Sequence, residues 1–279
     1  MKKLTKVFLS MVFAGAMLTG CGSSSATITA VTREEGSGTR GAFVELMGVV
    51  DEDDNDITTV NAEITNSTSV MLTTVAGNPA AIGYVSLGSL SDEVKAIKVD
   101  GVAATVEDIN NGTYKVARPF LVAYKDGSLT DVAQDFLNFI MSDDGQAIIN
   151  EEGYISVAEG NTYTASGMSG RIVLAGSTSV SPVMEVLADA YKALNPDVTI
   201  EIQQTGSGAG ITSAIEGVCD FGMSSRALTD EEAAELVNTQ IATDGIAVVV
   251  NNENPVEDMT SDQIKGIYLG EITDWSEIQ

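Results

Sequence analysis

Histidine is absent from the 279 residues. Without it, Ser-His-Asp and Cys-His catalysis and most zinc sites are excluded. Cysteine occurs twice, as Cys21 and Cys219, so no disulfide framework is available. Basic residues are scarce: 14 Lys and Arg stand against 40 Asp and Glu, a formal net charge of -26. That balance argues against nucleic-acid binding and against a polybasic membrane surface. Aromatic residues make up only 5% of the chain, yet 44% is hydrophobic, enough for one or two aliphatic cores and too much for a disordered chain. Long apolar runs are also missing. The longest, Val7 to Met17, is too short to span a bilayer and follows Lys2, Lys3 and Lys6. Residues 1–20 therefore read as an export signal. Leu18-Thr19-Gly20-Cys21 fits a bacterial lipobox, in which Cys21 receives lipid and becomes the new N-terminus, with 21–26 as a tether. Cys219, in an apolar run, reads as a small core residue.

What the chain does have is three glycine-serine loops: GSGTR at 36–40, GSTSV at 176–180 and GSGAG at 206–210. Each follows a strand-like run and leads into a helix-like one. A helix start offers unpaired N–H groups and a positive dipole end, glycine permits close approach, and Ser or Thr adds hydroxyl donors. One such loop is a common capping device; three that converge would hold a small oxyanion. In so acidic a chain the attraction has to be local, from short hydrogen bonds and an arginine in a desolvated cleft.

The periodicity predicts strands at Ile28 to Thr32, Ala80 to Val85, Val94 to Val99, Phe120 to Tyr124, Ile172 to Ala175, Val198 to Gln203, Asp220 to Met223 and Ile246 to Asn251. Helices are predicted at Thr39 to Met47, Ser67 to Val75, Val106 to Asn111, Thr130 to Met141, Asp144 to Glu151, Pro182 to Leu194, Ala209 to Glu216 and Asp230 to Val237. This alternation means α/β, with helices over largely parallel sheets and ligands beyond the carboxyl ends of the strands. Residues 158–170, rich in Gly, Ser, Thr and Asn, read as a linker between two halves.

The second half, from RIVLAGSTS (171–179) through GSGAGI, DFGMSSR (220–226), TDGIAVVVN and IYLGEITDW, resembles the amino-terminal part of the phosphate-binding lipoproteins of bacterial phosphate ABC transporters. The first half, through TREEGSGTR, AAIGYVSLGSL, NGTYKVARPF and DDGQAIINEEGYISV, resembles the remainder. The order of the halves is reversed relative to that family, so the chain reads as circularly permuted, its old ends joined through 158–170 and its new ends at Gln279 and near Ile28. The resemblance implies a two-lobed fold of the periplasmic-binding-protein type (type II). Lobe A would comprise 27–117 and 250–279, and lobe B 118–249, with crossing segments at Arg118 to Tyr124 and Gly245 to Asn251. The cleft would close by hinge motion.

The resemblance also implies the ligand set: Thr178 and Ser179 from one loop, Ser207 from the second, Ser225 from the third, and Arg33, Ser37, Gly38 and Thr39 opposite. Glu35 would hold the Arg33 guanidinium. Each residue also has a structural reading: Ser37, Ser179 and Ser207 as N-caps, Arg33 as a surface ion pair, Arg226 as a carboxylate's partner rather than added cleft charge. Ser225 departs from the family, which places an aspartate there to accept the proton of hydrogen phosphate; Glu35 or Asp244 is expected to supply that acceptor. DEDDND at 51–56 lacks the glycine and glutamate of an EF-hand loop and reads as a solvated acidic loop. No cofactor or metal is implied. The expected function is that of an extracellular, lipid-anchored receptor, not an enzyme, which captures inorganic phosphate and delivers it to ABC transporter membrane subunits. Capture of sulfate or molybdate, a non-transporting sensor, and a phosphatase or phosphotransferase lacking histidine and a Walker lysine are the alternatives.

Overall fold

The computed structural model describes residues 27–278; the export signal, Cys21 and its tether lie outside the described residues. The first part of the chain forms β1 (Thr29–Arg33), α1 (Gly38–Met47), β2 (Glu63–Thr65), α2 (Thr68–Gly77), β3 (Ala81–Ser86), β4 (Val94–Ala96), β5 (Lys98–Val99) and α3 (Val106–Asn110). β6 (Ala117–Tyr124), α4 (Asp131–Ile140) and α5 (Asp143–Glu151) follow, then β7 (Ser169–Gly176), α6 (Ser181–Leu194), β8 (Asp197–Gln204), α7 (Ser207–Glu216), β9 (Phe221–Ser224) and α8 (Asp230–Glu235). The chain closes through β10 (Val237–Asn251), β11 (Asp258–Met259) and α9 (Ser261–Leu269). No helix among the described residues is long and apolar enough to cross a membrane.

Strand order is β2-β1-β3-β10-β6-β9-β7-β8, with β4 also on β10. The flanks are parallel, β1 with β2 and β3, and β7 with β8 and β9. The centre is not: β10 runs antiparallel to β3, β4 and β6, and β6 antiparallel to β9. The expectation of largely parallel sheets fails there for a simple reason. β6 carries the chain out of the first half and β10 carries it back, so the two strands run in opposite directions.

β10 has 15 residues, a span of about 50 Å at roughly 3.3 Å per residue. The sequence marks only Ile246 to Asn251 as strand; the first four residues, Val237 to Gln240, are largely solvent-facing and mostly polar. The helix expected to reach Val237 stops at Glu235, where Leu236 turns into the strand. The second core packs around Phe120, Val122, Phe136, Leu174, Met184, Phe221 and Ala242. The first core packs around Ala30, Phe43, Tyr84, Val116, Ile246, Val248 and Val250. The changeover falls between Val116, just before β6, and Phe120 on it, and between Ala242 and Ile246 on β10, so the sequence-based boundary at 249 lies inside the first core's share of β10.

At the changeover Arg118 and Asp244 stand opposite each other in register. Arg118 Nε and Nη2 donate to Asp244 Oδ2 at 3.0 and 2.9 Å, and Ser86 Oγ donates to Oδ1 at 2.8 Å. Both side chains are essentially inaccessible. Burial pushes the Asp244 carboxyl up and the Arg118 guanidinium down, and their mutual attraction opposes both shifts. The Phe120 ring lies 5.4 Å from the guanidinium.

Residues 158–168 form no helix or strand, and Ser169 and Gly170 already belong to β7. The segment is nonetheless fastened: Tyr163 and Ser166 donate to Asp135 Oδ2, as Tyr191 does, each at 2.7 Å. Near the other end of the fold Thr27 bridges Asp274, and Ile28 N–H donates to Thr273 O at 2.8 Å. Trp275 packs against the first core and donates to Ala80 O.

Removing one member of the Arg118–Asp244 pair strands a buried charge. Arg118→Met is expected to cost about 3–5 kcal/mol, and adding Asp244→Leu to recover most of it. Urea unfolding of the two variants measures this, and a single-variant loss below about 1 kcal/mol would remove the pair as the structural joint.

Candidate functional site

Five strand-to-helix or strand-to-turn junctions meet where the two cores face each other. β1 delivers Arg33 and the GSGTR loop, β2 delivers Ser67 and Thr68, β7 delivers Ser177 to Ser179, β8 delivers Ser207 and β9 delivers Ser225. In parallel sheets these carboxyl ends share one edge, which is why loops far apart in sequence converge. Arg33, Ser37, Thr39, Thr68, Ser177, Thr178, Ser179, Ser207 and Ser225 are all buried.

The contacts run across the boundary between the cores. Arg33 Nη2 donates to Thr178 Oγ1 at 3.1 Å, and the Thr39 and Ser179 hydroxyls are 2.9 Å apart. The Gly208 N–H donates to Gly36 O at 2.9 Å. Gly38 faces Ser207 and Ser225 so closely that a Cβ there would lie 2.3 and 2.7 Å from their hydroxyl oxygens. Behind them Ser177 Oγ donates to Ser225 Oγ at 2.9 Å, and Ser207 Oγ accepts from the Ser225 N–H at 3.2 Å. The structure thus brings Thr178, Ser179, Ser207, Ser225, Arg33, Ser37, Gly38 and Thr39 into one constellation.

Several roles differ from those expected. The Arg33 guanidinium is held by Glu34, with Nε and Nη2 each 2.8 Å from a carboxylate oxygen, while Glu35 is exposed. The Glu34 backbone is pinned beside β2 by its N–H bond to Thr65 O, which keeps its side chain next to Arg33. Arg226 takes its structural reading: Nη1 and Nη2 fork onto Glu232 at 2.7 Å each. Burial pushes the Glu232 carboxyl up, but bonds from Arg226 and the Thr229 N–H outweigh it and leave the group below its ordinary value. Ser37 caps α1 through Arg40 N–H, yet its own O–H remains a donor. Ser179 and Ser207 are not side-chain N-caps; in the GSTSV loop Ser177 Oγ accepts the Ser179 and Val180 N–H groups instead.

The acceptor sought in Glu35 or Asp244 is in neither, because Glu35 points to solvent and Asp244 is committed to Arg118 and Ser86. Arg40 was unmarked by the sequence; it donates to the Arg33 carbonyl at 2.9 Å and to Asp56 at 2.6 Å, so part of the acidic loop braces the site. Among the described residues no group of three or more Cys, Asp or Glu side chains converges as metal ligands.

Arg33 and Arg118 are the two basic side chains buried among the described residues. Arg33 adds a like-charge push on Arg118. Around Arg33 the site is made of hydroxyls, N–H groups and the positive ends of α1, α6 and α7. Such a set has the chemistry to hold a small oxyanion, with donors approaching from both cores.

The PBP superfamily domain matches residues 9–144 and 161–279. The phosphate-binding protein PstS 2 of Streptococcus agalactiae serotype V is 48% identical over 287 aligned positions, 99% of this chain and 98% of its own. The crystal structure of the phosphate-binding protein of a phosphate ABC transporter from Streptococcus pneumoniae TIGR4 superposes with a TM-score of 0.73 at 44% identity, over 91% of this chain and 100% of that one. The phosphate-binding protein PstS of Bacillus subtilis strain 168 is 33% identical over 124 aligned positions, which cover 42% of this chain and 41% of its own.

Proposed function

The chain belongs to the PBP superfamily, among its PstS phosphate-binding proteins, and from that premise we propose that it captures inorganic phosphate outside the cell and hands it to the membrane subunits of an ABC transporter. The observation that carries this reading is the buried Arg33, presented with hydroxyls from both cores at one point. Phosphate would enter between the cores, take donors from Arg33, Thr39, Thr178, Ser179, Ser207 and Ser225, and favour the closed arrangement. The role is binding rather than catalysis.

A hydroxyl both donates and accepts. Ser225 therefore separates hydrogen phosphate from sulfate less sharply than a carboxylate would. Calorimetric titration of the purified protein is expected to show tight phosphate binding with sulfate as a measurable competitor. Glu34→Gln should weaken phosphate by about tenfold or more while Glu35→Gln leaves it within about twofold. A folded protein that releases no heat with phosphate would sink the receptor reading.

Anchoring is assigned to Cys21, and Cys21→Ala is expected to move the protein from the membrane fraction to the medium; retention at the membrane argues against it. Chain order is assigned to circular permutation. It is supported by the fastened 158–170 segment, by the contact of Thr27 and Ile28 with Thr273 and Asp274, and by the short alignment with the Bacillus protein beside the full-length one with Streptococcus. A rearranged chain that begins at Gly170 and joins 278 to 27 is expected to fold and bind phosphate, and failure to fold would count against permutation.

A further inference from the structure

The reading of glycine-serine loops passes over the β2-to-α2 junction, Asn66-Ser67-Thr68, because it contains no glycine. In the structure the Thr68 hydroxyl is a hub. It accepts from Arg33 Nη1 at 3.3 Å and lies 3.3 Å from Thr178 Oγ1 and 3.2 Å from Ser179 Oγ. It thus touches three residues of the constellation, one from its own core and two from the other, and its side chain is buried.

Helix α2 does not need this hydroxyl. Ser67 is the N-cap: its Oγ accepts from Val70 N–H at 3.2 Å, and its carbonyl accepts from Met71 N–H at 3.1 Å. Thr68 is the first helical residue, where a side-chain oxygen has no capping duty. A second hydroxyl buried beside the cap and turned toward Arg33 is explained by what it faces. Of the five N–H donors of Arg33, Nε and one on Nη2 go to Glu34, another on Nη2 goes to Thr178, and Nη1 reaches Thr68. Thr68 therefore sits at Nη1, the end of the guanidinium that faces away from Glu34. The start of α2, a ten-residue helix, adds its positive dipole end there.

We propose that Thr68 is a direct ligand of the bound anion, donating its hydroxyl to an oxygen shared with Arg33 Nη1, and that α2 is a fourth helix whose start faces the site. The inference rests on the phosphate-receptor reading and adds a residue to it. When an oxyanion enters between Thr68, Thr178, Ser179 and Arg33, each of these groups exchanges a bond to its neighbour for a bond to the ligand. Thr68 is then the ligand that the first core contributes next to two from the second.

Titration of the purified protein with inorganic phosphate tests this in Thr68→Val, Thr68→Ser and Thr68→Ala, with the thermal midpoint of each ligand-free variant as the control for folding. Thr68→Val and Thr68→Ala are expected to weaken phosphate by about 10- to 100-fold and Thr68→Ser by less than about threefold, with the ligand-free midpoints close to wild type. A crystal structure of the phosphate complex is expected to place Thr68 Oγ1 within hydrogen-bond reach of a phosphate oxygen. Valine and alanine variants that bind as tightly as wild type would overturn the inference and leave the receptor reading intact. So would a serine variant that loses as much as valine, or a complex in which Arg33 touches phosphate and Thr68 does not. Wild-type protein that fails to bind phosphate overturns the receptor reading, and this inference with it.

Discussion

The pairing of β6 with β10 is the constraint on which the rest depends. Among the described residues it is the place where the backbone of each core continues into the other as paired strand, and Arg118 and Asp244 meet one pair from its end. Two charges taken out of water are costly unless each has a partner with good geometry, and here two hydrogen bonds and the Ser86 hydroxyl provide it. The ion pair does not draw the cores together as an apolar contact would. It fixes the register in which they meet, and that register determines where the loops at the strand ends come to lie.

An acidic chain that holds an anion needs a site whose chemistry opposes its own long-range field. Concentration of donors achieves this. Arg33 is buried and oriented by Glu34, so its remaining N–H groups project in a fixed direction. The helix starts and hydroxyls around it carry no net charge, and act only at hydrogen-bond range. The acidic surface is not idle: Asp56, through Arg40, supports the carbonyl of Arg33 itself.

Much of this was legible in the sequence, and the failures follow from what sequence patterns encode. Glycine-serine loops between apolar runs mark strand-to-helix junctions, so the α/β class and the convergence of 36–40, 176–180 and 206–210 followed from local chemistry. Which of two adjacent glutamates holds Arg33 depends on side-chain direction at the end of β1, where the Glu34 N–H is tied to β2, a three-residue strand too short to show periodicity. Thr68 escaped notice because Ser-Thr at a helix start is an ordinary capping signal. Arg118 and Asp244 lie 126 positions apart and become partners only through strand pairing. The polar start of β10, Asn238 to Gln240, reads as loop because it is largely wet, and the parallel-sheet expectation ignored the direction in which the chain must return.

Two glycines of one loop constrain the sequence in different ways. Gly36 has φ +81° and open space around it, so its demand is conformational, and asparagine, which enters the left-handed region at modest cost, is a tolerable replacement. Gly38 has its pro-side-chain position against Ser207 and Ser225, and no L-residue avoids that collision. Under mutation and selection the first site has room for a few residues, while a change at the second requires both Ser207 and Ser225 to yield space. The loop's tolerance for change at one position is written in the opposite core.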